Sequence, residues 1–466
     1  MKKYLSVAML CLTASAATLS WADDAADSLQ FFHDKASLTK VQEAEQLFKT
    51  KNYAKAFPIY NAEAEKGNKI AQYMLGYLYE NGFGTDKDDQ VATAWYLKAS
   101  QQGLAAADYA LGALYYNSAA MAQAVPYFKQ AAVQNNPEAQ YMLGYLYATG
   151  NSVPQNLASA NDMYEKAAAS GMPKAFYNLG YQYYLGQNVT KDVTKAMSYF
   201  IKGADKGNAK CQDMYALALM QGLGGVTVDK SKAFTLFTAA ANQDLAVAQY
   251  NLGVMYYNGW GTPADLVNAT NWFSKAAEAG LMRAEYVEGY MAYNGIGQAK
   301  NISQALDLYS KAADQGLAEA QFAAATLYHN GEGTEKDEHK AAQWYEAAAK
   351  QGNAKAEYMA GLFYQQGTGV LPDQATAATY FEQAAMQGID NAQMAIAAMY
   401  ANGTGVTQND KMAYVWLSVA STSSNSQIHD TATATLETLG RLMKPADLEA
   451  AKQLSQSYYA KVHGNH

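Results

Sequence analysis

The stretch Ala71-Gln72-Tyr73-Met74-Leu75-Gly76-Tyr77-Leu78-Tyr79-Glu80-Asn81-Gly82-Phe83-Gly84 decides how this chain folds. Counted from Ala71, it carries Tyr at offset two, a small residue at five, Tyr at eight, and Gly at eleven and thirteen. The pattern returns from Ala107, Ala139, Ala175, Cys211, Ala248, Ala284, Ala320, Ala356 and Ala392, at spacings of 36 residues broken once by 32 and once by 37. A period held this closely marks a repeat array and not a set of unrelated domains.

Each offset has a physical reading. Offset five is Gly76, Gly112, Gly144, Gly180, Ala216, Gly253, Gly289, Ala325, Gly361 or Ala397, which predicts close approach of two helix backbones. Offset eight, usually Tyr as at Tyr79 and Tyr256, shares a helical stripe with offsets zero, four and seven and is assigned to the core. The Asn-Gly pairs, such as Asn81-Gly82 and Asn258-Gly259, suit a left-handed cap that ends a first helix. Asp88, Asn156, Asp192, Asp229, Asp265, Asn301, Asp337, Asp373 and Asn409 then stand where a short side-chain oxygen can cap a second helix. That row is therefore assigned to N-caps, in preference to a catalytic or calcium-binding series. The second helix repeats an apolar face, as in Ala92 with Trp95-Tyr96, and usually exits at Gly, as at Gly103 and Gly171.

Two units of 32 residues, from Thr39 and from Ala107, lack the Gly-x-Gly loop and carry Pro58 and Pro126 before the aromatic pair. A proline there is expected to bend or delay the second helix. After Trp416 the pattern gives way to a Ser-rich turn and two helical stretches, about 428–441 and 446–461, expected to close the stack with one polar face.

At the other end, Met1-Lys2-Lys3 precedes an apolar stretch, and Ser20-Trp21-Ala22 sets small residues at −3 and −1 of a cleavage after Ala22, the pattern of a secretory signal peptide. Its apolar core is too short to span a bilayer, Asp23 and Asp24 follow it, and no later stretch has about 18 apolar residues, so no membrane anchor is expected after cleavage. The expected organisation is a signal peptide at 1–22, a linker at 23–38, the repeats at 39–421, and a helical cap and tail at 422–466. The expected location is the periplasm or the exterior.

Charge narrows the partners. With 34 Lys and Arg against 42 Asp and Glu the net charge is −8, and no long basic run offers phosphate-neutralising contacts, which excludes nucleic acid. Of the two cysteines, Cys11 falls in the signal segment, and Cys211 occupies an offset that is Ala in the other nine units, where a buried, inert thiol is expected.

The run Ala71 to Gly84, followed by Ala92 to Ala99 with Trp95-Tyr96-Leu97-Lys98, resembles the Sel-one-like repeat (SLR) family of the tetratricopeptide superfamily. The resemblance covers residues 39–421 and implies an all-α fold: an α/α solenoid (superhelix) of about eleven antiparallel helix pairs with a C-terminal helical cap. It also implies an adaptor whose first helices line a concave groove, and bacterial members that are often exported and serve in cell-envelope maintenance, signalling or host interaction. Cys-rich relatives are associated with β-lactam binding or hydrolysis, but they carry a disulfide per repeat that this chain lacks.

No catalytic constellation accompanies the pattern. Ser37-Leu38-Thr39-Lys40 is the one Ser-x-x-Lys, without a Lys-Thr-Gly or Ser-Asp-Asn partner. His329 and His339 lack metal-ligand spacing, and His463 and His466 lie in the tail. No phosphate loop, dinucleotide fingerprint or zinc motif appears, so neither an enzyme nor a cofactor is expected.

What remains distinctive is tyrosine. By analogy with the tetratricopeptide groove, offsets two, six and nine face inward: Tyr73, Tyr77, Tyr141, Tyr145, Tyr177, Tyr181, Tyr184, Tyr250, Tyr257, Tyr286, Tyr290 and Tyr293. Rigid amphipathic rings suit a binding face, although those at offset two equally suit helix packing. The candidate partner site is Tyr77, Tyr145, Tyr181, Tyr184, Tyr257, Tyr290 and Tyr293 in the groove, with Phe83 and Trp260 on the loop edge. The expected partner is a protein or peptide. The alternatives are a peptidoglycan or other glycan fragment stacked on the rings, or a β-lactamase-like or cell-wall hydrolase activity.

Overall fold

Short helices of nearly constant length follow from the punctuation. The structure, a computed structural model, describes residues 39–187 and 189–464; the expected signal peptide and linker lie outside the described residues. Two compact units are distinguished, one ending at Gln243 and the other beginning at Asp244.

The first unit contains α1 (Thr39–Lys49), α2 (Tyr53–Glu65), α3 (Lys69–Asn81), α4 (Asp89–Gln101), α5 (Ala105–Asn117), α6 (Met121–Val133), α7 (Pro137–Thr149), α8 (Leu157–Ala169), α9 (Pro173–Leu185), α10 (Val193–Asp205), α11 (Ala209–Gln221) and α12 (Lys230–Ala241). The second contains α13 (Ala246–Asn258), α14 (Leu266–Glu278), α15 (Met282–Asn294), α16 (Ile302–Asp314), α17 (Ala318–Asn330), α18 (Glu338–Lys350), α19 (Ala354–Gln366), α20 (Gln374–Met386), α21 (Asp390–Asn402), α22 (Asp410–Ala420), α23 (Ser426–Leu442) and α24 (Pro445–His463). From α1 to α22, odd and even helices pair as first and second members of each repeat, and no strand occurs among the described residues. Each unit is α/α solenoid architecture.

The caps form as expected. Gly82, Gly150, Gly186, Gly222, Gly259, Gly295, Gly331, Gly367 and Gly403 take left-handed conformations at the ends of first helices. All nine Asp and Asn residues of the cap row accept backbone N–H bonds at the start of the second helix. Each also closes its loop by donating its own N–H to the offset-eight carbonyl, as Asp373 does to Tyr364 at 2.9 Å.

The second loop glycine does more than turn the chain. A Cβ at Gly297, Gly369 or Gly405 would come within 2.0–2.1 Å of the carbonyl oxygen of Leu266, Glu338 or Gln374, each at or beside the start of the previous repeat's second helix. This loop is thus a backbone-to-backbone dock between consecutive repeats.

Three expectations are corrected. The small residue at offset five makes room for a ring before it makes room for a backbone. A Cβ at Gly76, Gly144, Gly180, Gly253 or Gly361 would lie 2.6–2.8 Å from Tyr96, Tyr164, Phe200, Phe273 or Phe381, the buried aromatic of the paired helix. The offset-eight tyrosines are half-buried rather than core, because they lie over the edge of the helix pair: Tyr183 stacks on Tyr199 at 5.8 Å and Tyr364 on Tyr380 at 5.9 Å. Pro58 and Pro126 do not delay the second helix, which runs 13 residues in both short units; it begins without a side-chain cap, after left-handed turns at Lys51 and Ala119.

Helices α23 and α24 close the second unit on α22. Trp416, fully buried, meets Tyr458 edge-on at 5.2 Å, Val462 is buried, and Lys411 pairs with Asp447 at 2.9 Å.

Candidate binding surface

Repetition lays the same offsets along the first helices, so side chains from consecutive repeats meet in rows. The ring at offset two belongs mainly to the core. Tyr73, Tyr141, Tyr177, Tyr250 and Tyr286 each lie 5.4–6.0 Å from the second-helix ring of their own repeat, and Tyr73 and Tyr250 are buried.

Offsets six and nine behave differently. Tyr77, Tyr145, Tyr181, Tyr184, Tyr257, Tyr290 and Tyr293 are all half-buried, the state of a ring with one face packed and one edge in water. Within the first unit, Phe48 at offset nine meets Tyr77 at offset six of the next repeat at 5.8 Å. Tyr116 and Tyr145, two further residues in this relation, share a hydrogen bond, and Tyr181 stacks on Tyr177 at 5.9 Å. In the second unit, Tyr257 at offset nine neighbours Tyr290 at offset six, and Tyr293 donates a 2.9 Å hydrogen bond to Glu332.

Glu332 stands between the two loop glycines of the following repeat, at the position of Phe83 and Trp260. Phe83 is half-buried and stacks on Tyr53 of the preceding repeat at 4.4 Å and 7°, with Tyr77 6.1 Å away. Trp260 is also half-buried and donates its backbone N–H to Met255 O at 3.0 Å. Where these contacts occur, the tyrosine row and the loop tip form one surface, so the two expected sites are contiguous. Phe48, Tyr53, Tyr116 and Glu332 join it without having been singled out in the sequence. Phe48 and Tyr116 were legible there, since both occupy offset nine.

The surface is electrically mild. Burial raises the phenol pKa of Tyr77, Tyr116 and Tyr257, with the neighbouring Glu80, Tyr145 and Tyr290 adding to it. For Tyr293 the bond to the Glu332 carboxylate raises it first. These hydroxyls stay protonated at neutral pH and act as hydrogen-bond donors and acceptors.

Beneath the row lies a polar clamp. Offset one is Gln, Glu or Asp in nine of ten units. In six of those units it accepts from a Gln at the end of its repeat's second helix, as in Gln102 to Gln72, Gln315 to Glu285, Gln351 to Gln321 and Gln387 to Glu357, all at 2.8 Å. Four of the Gln residues there, Gln72, Gln140, Gln321 and Gln393, also donate to a carbonyl of the preceding repeat, as Gln72 does to Ala64 O at 3.1 Å. Where it forms, the clamp satisfies groups that are almost wholly buried, and it fixes the helices that carry the tyrosines; the Oε1 atoms of Gln140 and Gln393, whose second helices end without a Gln, have no hydrogen-bond partner among the described residues.

Cys211 is fully buried and free, and burial pushes its thiol up to about 12. His329 bonds Glu338 at 2.8 Å, and His339 bonds Gly369 O at 3.0 Å. Ser37 lies outside the described residues. Among the described residues no group of three His, Cys, Asp or Glu is placed to hold a metal, and no helix is long and apolar enough to cross a membrane.

Comparison with known proteins matches the Sel1 repeat family to residues 69–104, 137–172, 173–208, 209–245, 246–281, 284–317, 318–353, 354–389 and 390–425, together more than half of the chain. The matched segments leave out residues 39–68 and 105–136, nearly the whole of the two 32-residue units. A crystal structure of a protective antigen of uropathogenic Escherichia coli strains, displaying an SLR fold, is 30% identical, with 88% of this chain and 95% of that chain covered at a TM-score of 0.58. A putative sel1-like repeat-containing protein of Acanthamoeba polyphaga mimivirus is 34% identical over 93 residues, 20% of this chain and 17% of its own. An ERAD-associated E3 ubiquitin-protein ligase component of Arabidopsis thaliana, HRD3B, is 33% identical over 110 residues, 22% and 17% respectively. The matches thus span about a sixth of the length of these two curated relatives.

Proposed function

The chain belongs to the Sel1 repeat family, a scaffold suited to protein–protein interaction, and from that premise we propose that it is an exported, non-enzymatic binding protein holding a peptide segment or partner domain on the tyrosine row of its first helices. The observation that carries this reading is the half-buried state of the offset-six and offset-nine tyrosines, whose partners are mostly other rings of the same row. Such a row offers large rigid contact area with hydroxyls at its edge, the combination that anchors interfaces.

Export is supported by Lys2-Lys3, the apolar segment and Ser20-Trp21-Ala22. A relative that is a protective antigen of uropathogenic strains favours a role facing the cell envelope or a host, and one that is a component of a larger ligase favours partner binding over catalysis.

The test has two parts. N-terminal sequencing of the protein recovered from the periplasm is expected to read from Asp23; a chain beginning at Met1 removes the export reading. Affinity capture from periplasmic extract, beside a peptidoglycan pull-down, is expected to recover a protein whose retention falls when Tyr257, Tyr290 and Tyr293 are replaced by Ala. Retention on peptidoglycan alone would instead make the row a glycan-stacking surface.

A further inference from the structure

Away from the binding row, offset-eight tyrosines stack on second-helix tyrosines in three repeats: Tyr115 on Tyr127 at 5.7 Å and 15°, Tyr183 on Tyr199 at 5.8 Å and 17°, and Tyr364 on Tyr380 at 5.9 Å and 22°. Near-parallel rings at this separation are displaced stacks whose edge carbons face one another. Both rings of the last pair are half-buried, so they are fixed by packing and still reachable by an oxidant.

We propose that Tyr364 and Tyr380 are a site of oxidative modification, at which a peroxide-driven one-electron oxidant joins the two rings into an intramolecular dityrosine that ties α19 to α20. Each phenol gives up one electron and one proton. The two phenoxyl radicals form a carbon–carbon bond between their ortho carbons, and the hydrogens displaced from those carbons move to the phenol oxygens by tautomerisation. Overall one hydrogen peroxide takes two electrons and two protons and leaves as two waters.

The surroundings distinguish this pair. Tyr364 Oη donates to Glu346 Oε2 at 3.2 Å, so a carboxylate stands ready to take the proton released on oxidation. Glu346 also raises the pKa of Tyr380, after burial, so one carboxylate acts on both rings. Lys350, paired with Glu346 at 2.7 Å, leaves the carboxylate in place. In the Tyr183–Tyr199 pair the hydroxyl of Tyr183 instead receives the Lys195 ammonium at 2.7 Å, which disfavours loss of an electron and proton there. The cross-link would be a covalent staple in a chain whose described residues hold no disulfide.

The experiment treats the purified protein with a haem peroxidase and limiting hydrogen peroxide, digests the monomer after denaturation, and reads cross-linked peptides by mass spectrometry. The expected result is a Tyr364–Tyr380 peptide pair lighter by two hydrogens, present in larger yield than the Tyr183–Tyr199 pair and lost in Tyr364→Phe and in Tyr380→Phe. Glu346→Gln is expected to lower its yield severalfold with the helical circular dichroism unchanged. Absence of the pair while exposed tyrosines such as Tyr459 cross-link between molecules, or equal yield from the urea-unfolded chain, would overturn the proposal.

Discussion

Cys211 and Gly203 make a pair that neither residue explains alone. Cys211 replaces the Ala that begins the other units, and Gly203 replaces the Ala found at the matching position in most second helices, such as Ala167 and Ala276. A Cβ at Gly203 would lie 2.3 Å from Cys211 Sγ, so the missing methyl makes room for the sulfur. Gly203→Ala is expected to cost about 1–3 kcal/mol through overpacking. In a Cys211→Ala background most of that cost should vanish, because the sulfur is gone and Ala favours helix. A double-mutant cycle by denaturant unfolding measures the coupling, and simple additivity would refute the pairing. Glu357 supports a second prediction at this scale. Burial holds its carboxyl above the usual range, with the Gln387 bond acting in the opposite direction. The folded state therefore binds this proton more tightly than the unfolded chain does. The stability it contributes is complete in acid and is lost as pH rises through the raised native pKa. Glu357→Gln, which reproduces the neighbouring Gln351–Gln321 pair, is expected to stabilise the protein at pH 7 by on the order of 1 kcal/mol and to have little effect near about pH 4. A gain that is the same at both pH values would contradict the assignment.

Among elements, the loop glycines separate conformation from contact. Gly352, with φ +80°, has nothing within 4 Å of a built Cβ, whereas Gly369, with φ +67°, has the Glu338 carbonyl oxygen at 2.1 Å. Gly352→Ala should cost about 1–2 kcal/mol, the left-handed penalty alone. Gly369→Ala should cost about 2–4 kcal/mol, since the dock to the previous repeat is also broken. Equal melting temperatures for the two variants would mean that the loop does not hold repeats together. The sequence made the elements legible because a cap is a local event: Asp373 reads the N–H groups of Ala375 and Thr376, two and three residues away. It did not reveal what fills the space beside Gly361, because Phe381 lies twenty residues on and its direction is set by the pairing of two helices. The docking role of Gly369 was hidden for the same reason, its partner being thirty-one residues earlier in another repeat. Pro58 misled because a rule about isolated helices neglects the packing that holds Tyr60 and Ala64 buried in the same turns.

At the scale of the whole molecule, an array is only as soluble as its ends. Fully buried Trp416 belongs to the last repeat and is covered by α24 through Tyr458. Removing residues 422–466 uncovers it, and such a chain is expected to melt at a lower temperature and to aggregate, as uncapped repeat stacks do. An unchanged melting temperature and a monodisperse sample would show that α23 and α24 are dispensable. The candidate site was partly legible at this scale too: the spacing of Tyr77, Tyr145 and Tyr181 found the row of the first unit, and that of Tyr257, Tyr290 and Tyr293 the row of the second. The junction of row and loop tip at Tyr293 and Glu332 required the fold, since those residues are thirty-nine positions apart. The central claim is that this row holds the partner, and the most direct test is the dissociation constant of the captured partner for three forms. These are the wild type, the triple variant Tyr257→Ala, Tyr290→Ala and Tyr293→Ala in the second unit, and Leu371→Ser at an 87% exposed loop position that is not a residue of the row. The account predicts that the triple variant stays folded and binds at least about tenfold more weakly, a loss of about 1.4 kcal/mol, while Leu371→Ser binds as the wild type does; a folded triple variant with full affinity would contradict it.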